Sequence, residues 1–565
     1  MHKKILAALV LVAFGVVHAQ QEAKDTLSIK ALRMEKFDER HLGTLLLQIK
    51  VGKAVIVEKE ANPNYEFNAE ENKKGYALFV RNYLLDLNPF SIPSGIEADT
   101  KELKVFAAPG EFEPLVFGVY PAADLVNCRT EFSDFVNENG KKLAPETFQI
   151  NDVKYRPIGD DIVTVRSEVL ERSNQISRID KGIAKQIWIN IKVPEDSPPG
   201  TYRGIIMFEP EGRPASEIKA EVKVLPFKLM QPPPEVMNWA PMMSGTWDFE
   251  RLEQEFKCIK EHGMTGEITS SLNPVGEDFT NANRYMELAK KAGLPGKFIM
   301  STYGTQGYGT IANCAGPFGM GEKNFCEEAY TKLKAGLAKV KANAEQNKWL
   351  PYTMYLSSEL GGIIVPGDEY DRMMKYAEEY YTAARSVSGI KLLATFNKQD
   401  ELKRHWNLPT LDEFGFNGEM FPAWEEAAKM KPSWMTFIAV DQRFGYGFYL
   451  WRFNFKGGRP WCLNPGVMFP REAGLVYYFN KIAHPSVRFE RIREGVDDYK
   501  YVYTLLEHIK KAKADGKDAS AAENTLKKIF LKLPYNHKTD TPGFDYLKMD
   551  SYRSQIAEEI EHLLK

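Results

Sequence analysis

At 565 residues the chain exceeds the roughly 250 to 300 at which a single hydrophobic core stops growing, so two or three domains are expected. Its 74 basic and 76 acidic residues nearly cancel, to a formal charge of -2, and no basic block stands out. That removes the electrostatic case for a nucleic-acid partner and makes a neutral one more natural.

The first nineteen residues read as a signal peptide. "HKK" gives the positive start, "ILAALVLVAFGVV" the apolar stretch, and Val17-His18-Ala19 a cleavage site with small residues where they matter. The mature chain then starts near Gln20, with no cysteine there to carry a lipid, and no later apolar run approaches the ~18 residues of a membrane span. The expectation is an exported protein, periplasmic or secreted, with no membrane span. Five cysteines (Cys128, Cys258, Cys314, Cys326, Cys462) are an odd number for an oxidising compartment and form no C-x-x-C pair. Cys314 and Cys326 flank one Gly-rich segment, and a disulfide between them could close that loop.

Residues 20–230 carry short apolar runs separated by turn residues, the pattern of an antiparallel β-sandwich. In "QIWINIKV" apolar and polar residues alternate, placing Ile187, Ile189, Ile191 and Val193 on one face of a strand. With "SPPG" as a turn and "TYRGIIMF" as the next strand, the spacing predicts a hairpin. The proline-dense "PFKLMQPPPEV", 226–236, reads as a linker.

From 231 to 495 the rhythm becomes a strand-like run followed by a longer helical run. Strands are predicted at 237–244, 266–271, 296–303, 352–359, 390–397, 414–421, 435–440 and 447–454. Helices lie between most of them, as at 369–387, where Met373, Ala377, Tyr380, Ala384 and Val387 recur at helical spacing. Eight such units predict a (β/α)8 TIM-like barrel. No G-x-G-x-x-G follows the first strand, which leaves a dinucleotide-binding fold poorly supported. Residues 496–565 predict helices packed on the barrel's flank, with Val502, Leu505 and Ile509 on one and Ile556, Ile560 and Leu563 on another. The predicted fold class is therefore multidomain: an N-terminal β-sandwich, a (β/α)8 barrel and C-terminal helices.

Barrel chemistry stands at the C-terminal ends of strands. There the sequence offers Glu359 after the fourth strand, Glu419 after the sixth and Asp441 after the seventh, while Glu267 begins its strand and is a weaker candidate. Around them stand aromatic residues, of which Trp239, Tyr303, Tyr308, Tyr449, Trp451 and Trp461 are the candidate substrate-binding set, with Trp247 and Trp424 nearby in sequence. Sugar rings present apolar C–H faces to aromatic planes, and a carboxylic acid can protonate a glycosidic oxygen, so the combination suits a carbohydrate cleft. For Trp451, barrel core is an equally good reading. The Gly-rich stretch 303–321 lacks the Lys-Ser or Lys-Thr of a phosphate cradle and reads as a substrate-lining loop. His262, His405 and His484 have no paired metal spacing, so neither a metal site nor a cofactor is expected. The charges of "RFERIREGVDDYKYVYTL", 488–505, read at helical spacing as a structural ion-pair network.

That last run also resembles the closing motif of glycoside hydrolase family 123 and its wider relatives, in which a sandwich precedes a (β/α)8 catalytic barrel. "APGEFEPLVFGVYPAADL" and "PEDSPPGTYRGIIMF" are similar to that group's sandwich motifs, and "GYGFYLWRFN" to its eighth strand, so the likeness runs from about residue 100 to 505. The resemblance implies retaining hydrolysis of terminal β-linked N-acetylgalactosamine. In the family an Asp-Glu pair after the fourth strand carries a substrate-assisted route: the Glu is general acid and base, and the Asp orients the acetamido group that attacks its own anomeric carbon. Matched to this sequence, the Glu falls on Glu359 and the Asp on Ser358.

A serine can accept a hydrogen bond from the acetamido nitrogen but supplies no counter-charge, and losing one preorganised group of this kind can cost on the order of a hundredfold in rate. A sugar lacking the acetamido group would instead need a second carboxylate, Glu419 first and Asp441 second; about 5 Å from Glu359 would imply retention, roughly 6.5 to 9.5 Å inversion. The alternative is a non-catalytic carbohydrate-binding or surface-assembly protein on the same scaffold. The expected partner in either case is a carbohydrate.

Overall fold

The computed structural model describes residues 54–56, 65–159, 162–242, 248–269, 272, 278–301, 327–357, 368–396, 398–405, 409–416, 423–435, 442–464, 473–534 and 544–565. The chain divides into two compact units, Met1–Lys228 with Pro465–Ala473 and Leu229–Asn464 with Gly474–Lys565, the first boundary falling within the proline-dense segment.

The first unit contains two largely antiparallel sheets. One runs, edge to edge, through Ala54–Ile56, Ile162–Arg172, Phe148–Gly159, Lys185–Lys192, Phe112–Pro121 and Tyr76–Phe79. The other runs through Gln175–Ile179, Leu125–Phe132, Gly200–Glu209, Ser216–Val224 and Glu102–Ala107, with two short strands off its path. The alternation read in the sequence places Ile187, Ile189, Ile191 and Val193 in one buried cluster with Tyr202, Ile206, Phe208 and Val222 of the other sheet.

The hairpin predicted around "SPPG" does not form. Lys185–Lys192 pairs with Phe112–Pro121 and Phe148–Gly159, whereas Gly200–Glu209 pairs with Ser216–Val224 and Leu125–Phe132. Each strand is taken up on both sides by strands remote in sequence, so the turn carries the chain from one sheet to the other, and the two strands face rather than pair.

The second unit alternates strand and helix. In chain order these are β1 (Asn238–Trp239), α1 (Phe249–Glu261), β2 (Ile268–Thr269), α2 (Thr280–Lys291), β3 (Phe298–Ser301), α3 (Glu327–Gln346), β4 (Tyr352–Ser357), α4 (Asp368–Arg385), β5 (Leu392–Phe396), α5 (Gln399–His405), β6 (Glu413–Phe416), α6 (Ala423–Met430), β7 (Ser433–Met435), α7 (Gln442–Tyr446), α8 (Phe448–Arg452) and β8 (Gly457–Gly458). The strands are all parallel, in the spatial order β1-β8-β7-β6-β5-β4-β3-β2. Just beyond β1, Met242 forms a parallel bridge with Ile268, and the Thr265 and Ile268 amides donate to the Trp239 and Pro241 carbonyls, so the sheet curls back toward its own first strand. Ala240, Ile268, Ile299, Tyr355, Leu393 and Trp434 fill the inside, a fully buried large side chain there contributing about 1.5 to 3 kcal/mol.

The eighth strand is not where the sequence suggested. Residues 447–454 hold helix α8, with the Trp451 amide bonded to the Gly447 carbonyl, and three consecutive buried side chains, Phe448, Tyr449 and Leu450. The strand is the pair Gly457–Gly458 that follows. A Cβ on Gly457 would come within 2.0 Å of Trp434 Cε3, so the ring that fills the barrel excludes any side chain there. A strand of two glycines has no side-chain periodicity to read.

Three helices close the unit: α9 (Val487–Ala514), capped by the Ser486 hydroxyl, α10 (Ser520–Lys532) and α11 (Met549–Leu563). Val502, Leu505, Ile509, Ile556 and Ile560 are buried as expected, and Leu563 is half-buried. The charges of 488–505 form a buried network. Asp498 accepts from Arg443 Nε and Nη2 at 2.8 and 2.9 Å and from Arg553 Nε at 2.6 Å, Arg553 also reaches Glu494 at 3.0 Å, and Glu490 pairs with His262 and Arg493. Gly495 lets α7 and α9 touch, since a Cβ there would lie 2.3 Å from the Arg443 carbonyl oxygen. Burial pushes the Glu494 carboxyl up to about 7, the three neighbouring arginines only partly opposing it. No helix among the described residues is long and apolar enough to cross a membrane.

Candidate active site

Parallel strands deliver the residues that follow them to one end of the sheet. β4 ends at Ser357, immediately before Ser358 and Glu359, β6 ends at Phe416 and β7 at Met435. Phe396, Phe416 and Met435 are in register across β5, β6 and β7, so these strands finish at one level. Ser358, Glu359, Glu419, Asp441, Tyr303 and Tyr308 lie outside the described residues, as do Trp247, the stretch 303–321, Cys314 and Cys326. The three described cysteines, Cys128, Cys258 and Cys462, are free and buried.

Of the aromatic set, Trp461 stands at a strand end. It follows β8, is half-buried, forms a parallel bridge with Met242, and its carbonyl accepts from Arg488 Nη2. Three others are corrected. Trp239 has no exposed surface, because alternation along β1 turns Ala240 inward and Trp239 outward; its indole donates to the Tyr446 carbonyl at 3.1 Å and its ring meets Tyr499 edge-on at 5.5 Å. Tyr449 lies on α8 within an aromatic cluster with Trp424, Phe444 and Phe453, and burial pushes its phenol far up. Trp451 is neither barrel core nor strand end. It packs edge-on against Phe530 at 5.4 Å and lines a groove of about 270 Å³ with Leu506, Ile509 and Leu526 of the C-terminal helices. Helical spacing turned these last two residues to opposite surroundings, which a strand reading of 447–454 could not anticipate.

Glu267, just before β2, is buried and accepts from the Tyr285 hydroxyl, a structural role at the opposite end of the strands. The interior also holds charge that sequence reasoning missed. Lys297, just before β3, pairs with Glu413, the first residue of β6, and burial lowers the lysine's pKa. Arg459, directly after β8, has no exposed surface; its guanidinium lies over the Trp434 ring at 4.8 Å and the Tyr355 ring at 5.4 Å. Burial lowers its pKa to about 10, which leaves it cationic at neutral pH. The signal was the "GGRPW" run, legible once Gly457–Gly458 is known to be a strand. Among the described residues no cluster of His, Cys, Asp or Glu could hold a metal ion.

No family model matches the sequence, and no curated protein does. Among solved structures the chain is similar to a family 123 glycoside hydrolase from Clostridium perfringens, studied for glycolipid glycan hydrolysis, with a TM-score of 0.64 at 13% identity over 87% of this chain and 98% of that one. A Bacteroides ovatus xyloglucanase matches at a TM-score of 0.30 and 8% identity, over 71% of this chain and 98% of that one. The chain has a glycoside hydrolase-like fold.

Proposed function

We propose that the chain is an exported glycoside hydrolase acting on a glycan, with Glu359 as general acid and base. The observation that carries this reading is the likeness to the family 123 hydrolase over nearly the whole of both chains, together with a fourth strand that leads directly into Ser358 and Glu359. The motifs that resemble the same family in the sequence agree with it. Fold alone assigns no chemistry, so the mechanism rests on the residues.

A carboxylic acid at position 359 donates its proton to the departing glycosidic oxygen and takes one back from water in the second step. A partly apolar setting keeps such an acid protonated near neutral pH. In an acetamido sugar the neighbouring amide would attack the anomeric carbon, and Ser358 would orient it without a counter-charge. In a sugar without that group, Glu419 or Asp441 would serve as the second carboxylate. We assign the sandwich–barrel architecture and the N-terminal export signal to the same proposal. Because Ser358 stands where the family has Asp, a second reading is a carbohydrate-binding protein that holds glycan without cleaving it.

The test is hydrolysis of aryl β-N-acetylgalactosaminide and aryl β-galactoside by wild type and Glu359→Gln. Turnover of the acetamido sugar that is lost in the variant supports the family route with Ser358. Turnover of the plain galactoside alone directs mutation to Glu419 and Asp441. Glycan affinity equal in both proteins, with no turnover of any glycoside tried, refutes the hydrolase and favours the binding protein.

A further inference from the structure

Arg459 sets a problem of charge balance. Its Nε, Nη1 and Nη2 have no hydrogen-bond acceptor among the described residues, and neither has Nε1 of Trp434, the ring on which the guanidinium stacks. Lys297 and Glu413 neutralise one another within the same interior. Glu413 also acts on Arg459 electrostatically, yet Arg459, Lys297 and Glu413 together leave one net positive charge among the described groups there, and a buried cation without a hydrogen-bonded partner is costly. The bare Cα of Gly415 faces the guanidinium, a Cβ at that position lying 3.1 Å from Nη1. Among the described residues the rings of Tyr355 and Trp434 also lie against it, with the Tyr355 hydroxyl already bonded to Thr395 at 2.6 Å.

We propose that Arg459 holds a small inorganic monovalent anion of halide size inside the barrel. The chemistry selects this class. The donors call for a negative charge, the absence of exposed surface on Arg459 argues against a sugar-borne carboxylate, and a single guanidinium balances a single charge. A guanidinium is weakly hydrated, and its preferred small counter-ions are weakly hydrated as well. The site goes beyond the hydrolase reading and does not depend on it.

The experiment is thermal unfolding of the full chain in chloride–gluconate mixtures at constant ionic strength, repeated with bromide, and read without any glycoside. A bound anion raises the folding equilibrium constant about tenfold for each tenfold rise in chloride above its Kd. The same titration of Arg459→Met, whose side chain is unbranched and neutral, is expected to be flat. Should that variant fail to fold, Arg459→Lys, which keeps the charge as a strongly hydrated ammonium, is expected to show a weaker dependence than wild type. A wild-type midpoint that ignores the anion, as when one of the chain's own carboxylates neutralises Arg459, overturns the proposal. So does a chloride dependence unchanged in the variants.

Discussion

Asp498→Asn is the sharpest test of what holds the C-terminal helices to the barrel. The substitution keeps the side chain's shape and removes its charge. In the wild type Asp498 has no exposed side-chain surface and takes three hydrogen bonds of 2.6 to 2.9 Å from two arginines that are themselves fully or almost fully buried. Breaking a buried pair by removing one partner costs about 3 to 5 kcal/mol, because the other charge stays buried. Arg443 keeps Asp550 and Arg553 keeps Glu494, so the lower end of that range, about 3 kcal/mol, is expected. The matched control is Glu253→Gln in the exposed Lys291–Glu253 pair, where the loss is about 0 to 1 kcal/mol. Urea unfolding followed by tryptophan fluorescence reports on the second unit, since every tryptophan except Trp188 lies beyond Lys228. A loss no larger than the control's would refute the reasoning, and would mean that the helices are held by apolar packing alone.

Glu494 carries the pH dependence. Burial pushes its carboxyl up to about 7 from an ordinary 4.5, so the folded chain binds that proton more tightly. The stability it contributes is full below about pH 4.5 and lost as pH rises through 7, on the order of 3 kcal/mol in all. Glu494→Gln is expected to flatten the difference in stability between pH 5 and pH 8, and a variant with the wild-type slope over that window would show that the burial argument fails. For ligand contact, Trp461→Ala is expected to weaken KM or glycan affinity by roughly 2- to 10-fold, while Trp451→Ala leaves both unchanged. The reverse order would place the glycan on the groove of the C-terminal helices instead.

Much of the local grammar was legible. Five barrel strands, β1 to β5, lie within their predicted spans, because branched and aromatic runs such as "IKLLATFN" report their own burial; β6 begins one residue early and β7 shares only Met435 with its span, while α4 follows the 3.6-residue spacing of Ala377, Tyr380 and Ala384. The charges of 488–505 do form a network, but helical spacing accounts only for pairs such as Arg493–Glu490 and Lys500–Asp497, while Asp498 and Glu494 are paired by Arg443 and Arg553 from elsewhere in the chain. The candidate catalytic Glu359, read from a strand end and a motif, lies outside the described residues.

What the sequence by itself determined was therefore the set of elements, the alternation that sorts their faces, and the order in which they arrive. What only the tertiary structure decided was partnership. The "SPPG" turn switches sheets because pairing is settled by distant strands such as Phe112–Pro121, not by the turn. Gly457–Gly458 is a strand because Trp434 fills the space beside it, and Trp239 is core because α7 and α9 cover the outside of β1. Arg459 is a buried cation because four strands far apart in sequence bring Tyr355, Thr395, Gly415 and Trp434 around one point. Local periodicity records which face of an element is apolar; it carries no record of which remote residue will lie against that face.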